Sequence, residues 1–154
     1  MVKCDFLLME RKMAGKQKAH CACGAVEAEL TGAPILQCYC HCTDCRDWLG
    51  APVHAATGWP KDQVKFTKGK NDVIIYKRTD KSHRKSCKKC GGALLVEHPG
   101  LGVVDVLASN IKGFKFEPAF HIHYGERMID MKDGLPKYVK EPKVMGGDDE
   151  TMAE

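Results

Sequence analysis

Cys87-Lys88-Lys89-Cys90-Gly91-Gly92 is the stretch on which the fold of this 154-residue chain turns. A C-x-x-C pair folds the chain back on itself, and the two glycines supply the positive φ and the missing Cβ that let backbone N–H groups approach two thiolates. Two sulfurs do not complete a metal site, so the knuckle needs a partner. Cys21-Ala22-Cys23 offers one, because residues i and i+2 of an extended segment point to the same face. Four sulfurs from two such pairs are the set that zinc takes in a closed tetrahedral structural site.

A third group, Cys40-His41-Cys42-Thr43-Asp44-Cys45, contributes three more sulfurs. Three protein ligands leave one position of a tetrahedral ion open, which is how a catalytic zinc differs from a structural one. Cys38 or a histidine would close this site instead, and Cys38 lies on the same strand face as Cys40. Two zinc ions per chain are therefore expected.

The cysteine count favours metal over disulfides. Nine cysteines is an odd number, so complete intramolecular pairing is impossible. At the N-terminus the apolar run Phe6-Leu7-Leu8-Met9 is cut short by Glu10, Arg11 and Lys12, too soon for a signal-peptide core, and no stretch is long and apolar enough to span a bilayer. A reducing cytoplasm is the expected location, where clustered cysteines serve metals or catalysis.

Charge points weakly toward nucleic acid. The formal net charge is +4, with basic stretches at Lys61–Lys70 and Lys77–Lys89. The second has no aromatic residue after Tyr76 to stack on bases, so both are read as solvated strand edges and loops. Two zinc dications and seven thiolates would bring the formal charge down to about +1.

Around the cysteines the chain reads as short strands and turns. Ala25–Leu30 alternates, with Val26, Ala28 and Leu30 on one face, and Thr31-Gly32-Ala33-Pro34 ends it. Further strands are expected at Ile35–His41, Pro52–Thr57, Gln63–Lys68, Val73–Lys77, Ala93–Glu97, Val103–Ala108 and Ala119–Tyr124. Thr43–Leu49 predicts a short helix with Thr43 as N-cap. The expectation is a mainly β, antiparallel domain over residues 16–145, with an N-terminal extension at 1–15 that holds Cys4 and a flexible acidic tail at 146–154.

These motifs carry a family resemblance. Cys21-x-Cys23-Gly24-Ala25-Val26, Cys40-His41-Cys42-x-Asp44-Cys45-Arg46-x-Trp48-x-Gly50 and Cys87-x-x-Cys90-Gly91 occur in that order. They are followed by His121-Ile122-His123-Tyr124 and Asp133-Gly134-Leu135-Pro136-Lys137-Tyr138. The set resembles the glutathione-dependent formaldehyde-activating enzymes, also called the centromere protein V family, with His123 standing where many members carry Trp. The resemblance implies an Mss4-like fold, a structural zinc on Cys21, Cys23, Cys87 and Cys90, and a catalytic-type zinc on Cys40, Cys42 and Cys45. It also implies a carbon-sulfur lyase that joins glutathione and formaldehyde as S-(hydroxymethyl)glutathione.

On that reading the partners are a small thiol and an aldehyde, with no membrane and no nucleic acid. His41, His54 or His123 would relay the proton, since histidine titrates in the right range. Arg46 would meet a substrate carboxylate or form a surface ion pair. The alternative is a non-catalytic zinc module for protein or nucleic-acid binding, in which the second site is closed or empty.

Overall fold

The computed structural model describes residues 15–154; Cys4 and the residues before 15, expected as an extension, lie outside the described residues. In chain order the strands are β1 Gln17–His20, β2 Glu27–Leu30, β3 Leu36–Cys40, β4 His54–Pro60, β5 Val64–Lys68, β6 Val73–Thr79, β7 Ser82–Cys87, β8 Ala93–His98, β9 Val103–Leu107 and β10 Phe120–Ile122. One helix, α1, spans Thr43–Leu49 between β3 and β4. The mainly β expectation holds.

The strands form a three-stranded sheet, β1-β2-β5, and a seven-stranded sheet in the order β10-β3-β4-β9-β8-β7-β6. Pairing is antiparallel throughout except between β10 and β3, which run parallel with Ile122 opposite Cys40. That pair corrects the all-antiparallel expectation. Strands so far apart in sequence are brought together by a long return of the chain, which no local pattern announces.

Alternation in β4 divides the core. Trp59 faces the small sheet, where Leu30 of β2 and Val26 just before it pack with Leu95, Val104 and Val106 of the large sheet. Ala56, on the opposite parity, faces the other side with Cys38, Cys40 and Ile122. Cys40 lies opposite His54 and Cys38 opposite Ala56, so these four share that second face. The central cysteine motif emerges there, at the end of β3.

Two strands were not anticipated. β1 is only four residues long, and β7, Ser-His-Arg-Lys-Ser-Cys, carries no aliphatic residue at all. The stretch expected as exposed edges and loops is in fact an interior strand between β6 and β8. One of its charges is matched locally: Lys85 Nζ lies 2.6 Å from Glu97, which also pairs with Lys61.

Residues 146–154, expected as a flexible tail, are held by hydrogen bonds. Val139 N donates to Glu150 O and Met152 N to Lys137 O, and Tyr138 bridges Thr151. Glu154 accepts from Lys137 Nζ at 2.8 Å and from Gly134 N. One of the tail's acidic groups, Glu154, is thus spent on a buried lysine.

Candidate functional site

The outer cysteines meet where the two sheets join. Cys21 follows β1 and Cys87 ends β7, both fully buried, while Cys23 and Cys90 are exposed. All four Sγ atoms lie within 4.8 Å of one another. Cys21 Sγ is 3.6 Å from Cys23 Sγ, and Cys23 Sγ 3.9 Å from Cys87 Sγ. A tetrahedral ion with metal–sulfur bonds of about 2.3 Å needs its sulfurs about 3.8 Å apart, whereas a disulfide needs about 2.05 Å. The spacing fits an ion.

Backbone amides complete the outer site. Val26 N donates to Cys21 Sγ at 3.3 Å. Gly91 adopts φ 71°, and a Cβ on Gly92 would sit 3.3 Å from Cys90 Sγ and 3.4 Å from Ala22 N. The amide of Gly92, with that of Cys23, brings the Cys90 thiol down to about 6, so a thiolate is favoured there at neutral pH.

The central group is built by the junction of β3 and α1. Cys40, Cys42 and Cys45 bring their Sγ atoms within 4.8 Å of one another, with 3.8 Å between Cys40 and Cys45. The helix cap is Cys42, one residue before the expected Thr43: its sulfur accepts from Cys45 N at 3.3 Å. C-x-x-C places a sulfur as a serine cap places its oxygen, and the helix N-terminus favours negative charge there. Gly50 closes α1 in the left-handed region at φ 61°.

Among the described residues, no fourth cysteine, histidine or carboxylate joins this group. Cys38 is buried on the same sheet face but lies outside it, and burial pushes its thiol well above the ordinary range. Three close sulfurs resist sharing three negative charges. Accepting from the Cys40 and Cys45 thiols pulls Cys42 down to about 2, and bonding to Cys42 drives Cys40 well up. Holding all three as thiolates takes a cation between them, and the donor set suits one.

A guanidinium already stands beside the cluster. Arg84 of β7, only 5% exposed, places Nη1 and Nη2 each 3.9 Å from Cys45 Sγ and stacks over the Trp48 ring at 5.1 Å. Sequence reasoning missed it because Arg84 sits within the basic run. No alternation in β7 singles it out, since its two buried positions, Arg84 and Cys87, are three residues apart across a register shift.

The histidines separate into three environments. His41 is fully buried; its Nε2 shares a 2.9 Å hydrogen bond with His121 Nδ1, while its Nδ1 has no partner. Burial, reinforced by His121, lowers His41 to about 4, which keeps the ring neutral. His54, buried, bonds Asp105 through Nε2 at 2.8 Å and lines an open cavity of about 390 Å³ with Leu49, Val53 and Leu107. Burial disfavours its charge, but Asp105 outweighs that and raises it. His123, with φ 52°, holds Glu141 at 3.1 Å, and that bond raises it too.

Arg46 is occupied structurally. It donates to His41 O and Glu126 O, while Glu126 accepts from Thr43 N and Oγ1 at 2.9 Å. These bonds pin the cysteine loop against the segment after β10.

Behind His41 runs a second support. His121 Nε2 contacts Asp133 Oδ2 at 2.8 Å, and Lys137 Nζ reaches Asp133 Oδ1 at 2.7 Å and Leu135 O at 3.0 Å. The late His121 and Asp133–Lys137 motifs thus meet in space behind the cysteine loop. Lys137 is 2% exposed and its carboxylate partners are partly solvated. Lys137→Met therefore costs about 2 kcal/mol, below the cost of breaking a fully buried pair. Urea denaturation will read this as a lower midpoint at unchanged slope; an unmoved midpoint would refute it.

Among the described residues no helix is long and apolar enough to cross a membrane. The family model for the glutathione-dependent formaldehyde-activating enzymes matches residues 16–126, which include all seven clustered cysteines. A protein of Fusarium vanettenii, named as a candidate glutathione-dependent formaldehyde-activating enzyme, is 31% identical over 112 residues, 69% of this chain and 60% of that protein. One of Colletotrichum graminicola with the same name is 31% identical over 112 residues, 69% of this chain and 58% of that protein. The chain thus spans about three fifths of the length of these relatives. A crystal structure of a Rhodobacter sphaeroides protein, 21% identical, superposes with a TM-score of 0.53 over 64% of this chain and 90% of its own, a likeness of fold. With the family model spanning most of its length, this chain belongs to the glutathione-dependent formaldehyde-activating enzyme family.

Proposed function

We propose that the chain is a zinc-dependent carbon-sulfur lyase-type enzyme that adds a small thiol, glutathione by the family's name, to formaldehyde or another small aldehyde. The observation that carries this reading is the group of three sulfurs at the β3–α1 junction with no fourth protein ligand among the described residues. Cys21, Cys23, Cys87 and Cys90 would hold a structural ion; Cys40, Cys42 and Cys45 would hold the catalytic one. A zinc ion with three cysteine ligands supplies an open position at which a substrate thiol is kept as thiolate.

In the addition a C–S bond forms and the carbonyl π bond breaks. The thiol proton ends on the new hydroxyl, giving S-(hydroxymethyl)glutathione when the partners are glutathione and formaldehyde. The chain's residues serve this balance separately. The amide of Cys45 and the Arg84 guanidinium offset negative charge on the cysteine sulfurs. His54 and His123, whose protonated forms are favoured by Asp105 and Glu141, would carry a proton toward the developing alkoxide. His41, neutral and fully buried, orients the loop between Cys40 and Cys42. A cytoplasmic location agrees with the free thiols.

NMR exchange spectroscopy of glutathione with formaldehyde tests the reaction. Zinc-replete protein is expected to broaden and exchange the adduct methylene signal at least about tenfold faster than buffer. No acceleration would leave the chain a zinc-binding module without this chemistry.

A further inference from the structure

An open cavity of about 320 Å³ lies beside the central cysteines, lined by Asp44, Asp47, Trp48, Tyr76, Arg78 and Arg84. It holds two charges of each sign. Arg78 spends its guanidinium on Asp44, with contacts of 2.9 and 3.1 Å to Oδ1. Asp47 and Arg84 keep hydrogen-bonding capacity that this pair does not use. Among the described residues Asp47 has no cationic partner and Arg84 no carboxylate.

Arg84 is the unusual member. A guanidinium only 5% exposed ordinarily sits against a carboxylate, whereas among the described residues Arg84 faces the Cys45 sulfur instead. Here its two Nη atoms make long contacts to one sulfur, and its buried Nε has no acceptor. Donors remain for an anion. The anion is not a phosphate, since two negative charges would also face Asp44 and Asp47. A ligand with one carboxylate and one ammonium satisfies both unspent groups, and Trp48 and Tyr76 wall the space for an aliphatic linker.

We propose that this cavity is a subsite for the α-amino-carboxylate end of a small thiol, with Arg84 taking the carboxylate and Asp47 the ammonium. The proposal rests on the reading of Cys40, Cys42 and Cys45 as the thiol-handling centre. Arg84 touches Cys45 Sγ, so a ligand anchored here has its sulfur within reach of that centre. The substrate class becomes amino-acid and γ-glutamyl thiols, as against simple thiols such as mercaptoethanol.

Isothermal titration of zinc-replete protein with S-methylglutathione reads the subsite apart from the chemistry, because a methylated sulfur cannot bind as thiolate. Wild type is expected to bind it at least about tenfold more tightly than N-acetyl-S-methylglutathione, which lacks the ammonium. Asp47→Asn, an exposed change, should bring the two ligands to equal affinity. Arg84→Gln at unchanged zinc content should weaken both by a similar factor. Equal binding of the two ligands by wild type, or unaltered binding in both variants, overturns the subsite even if the adduct reaction is accelerated. Discrimination without acceleration supports the subsite and overturns the reaction proposed above.

Discussion

Replacing Cys40 and Cys45 together by serine should take the purified protein from about two zinc ions per chain to about one and return adduct formation to the buffer rate. Serine oxygen is a poor zinc ligand, and the remaining sulfur of Cys42 cannot hold the ion alone. The fold should survive. α1 keeps its Cys42 cap and its Gly50 terminus, and the large sheet is paired through β4 and β9 independently of the motif. Burying a serine at Cys40, which is 5% exposed, costs about 1–2 kcal/mol, within the margin of an ordinary domain. Cys38→Ala is the control: its sulfur stands outside the group, so both ions should remain. A wild-type content of one ion that outlives the double substitution would refute the open site, and loss of the second ion from Cys38→Ala would make Cys38 its fourth ligand.

The two cysteine clusters were legible because they rest on short spacings. C-x-C on an extended segment, and C-x-x-C at a turn or helix cap, bring sulfurs together through local backbone alone. The strands with alternating aliphatic residues were legible for the same reason. β7 was not. Arg84 and Lys85 look solvated in a linear reading, and Arg84 turns inward only because Trp48 and a cysteine cluster from a distant part of the chain give its charge a place. The contacts of the tail follow the same principle: Glu154 belongs to a surface segment by composition, yet it pairs with Lys137, which is 2% exposed. His121 likewise acquires meaning only when β10 settles in parallel beside β3 and sets its ring against His41. What depends on one residue's neighbours in sequence could be read; what depends on where two remote charges meet could not.

That division bears on stability, because the outer cluster is the one local motif that also makes a long-range join. A strong chelator added to wild-type protein should remove zinc in two steps. The first ion should leave the central site, which offers three sulfurs among the described residues, with little change in the far-UV circular dichroism of the sheets. The second leaves together with the fold. Cys21 and Cys87 are fully buried, and between them they tie β1 of the small sheet to the end of β7 in the large one. Free of an ion, four sulfurs within 4.8 Å must redistribute protons inside the core, which disfavours the native arrangement. Structural zinc contributes about 10–16 kcal/mol in small zinc modules, comparable to or above the whole stability of a typical domain of about 5–15 kcal/mol. Cys87→Ser should accordingly give insoluble protein or one without a cooperative thermal transition, and sulfur-for-oxygen exchange at exposed Cys90 a lowered but measurable one. If chelation strips both ions and the thermal midpoint stays put, the outer sulfurs are a packing feature of the core and the sheets hold each other through Trp59, Leu30 and Val106 alone.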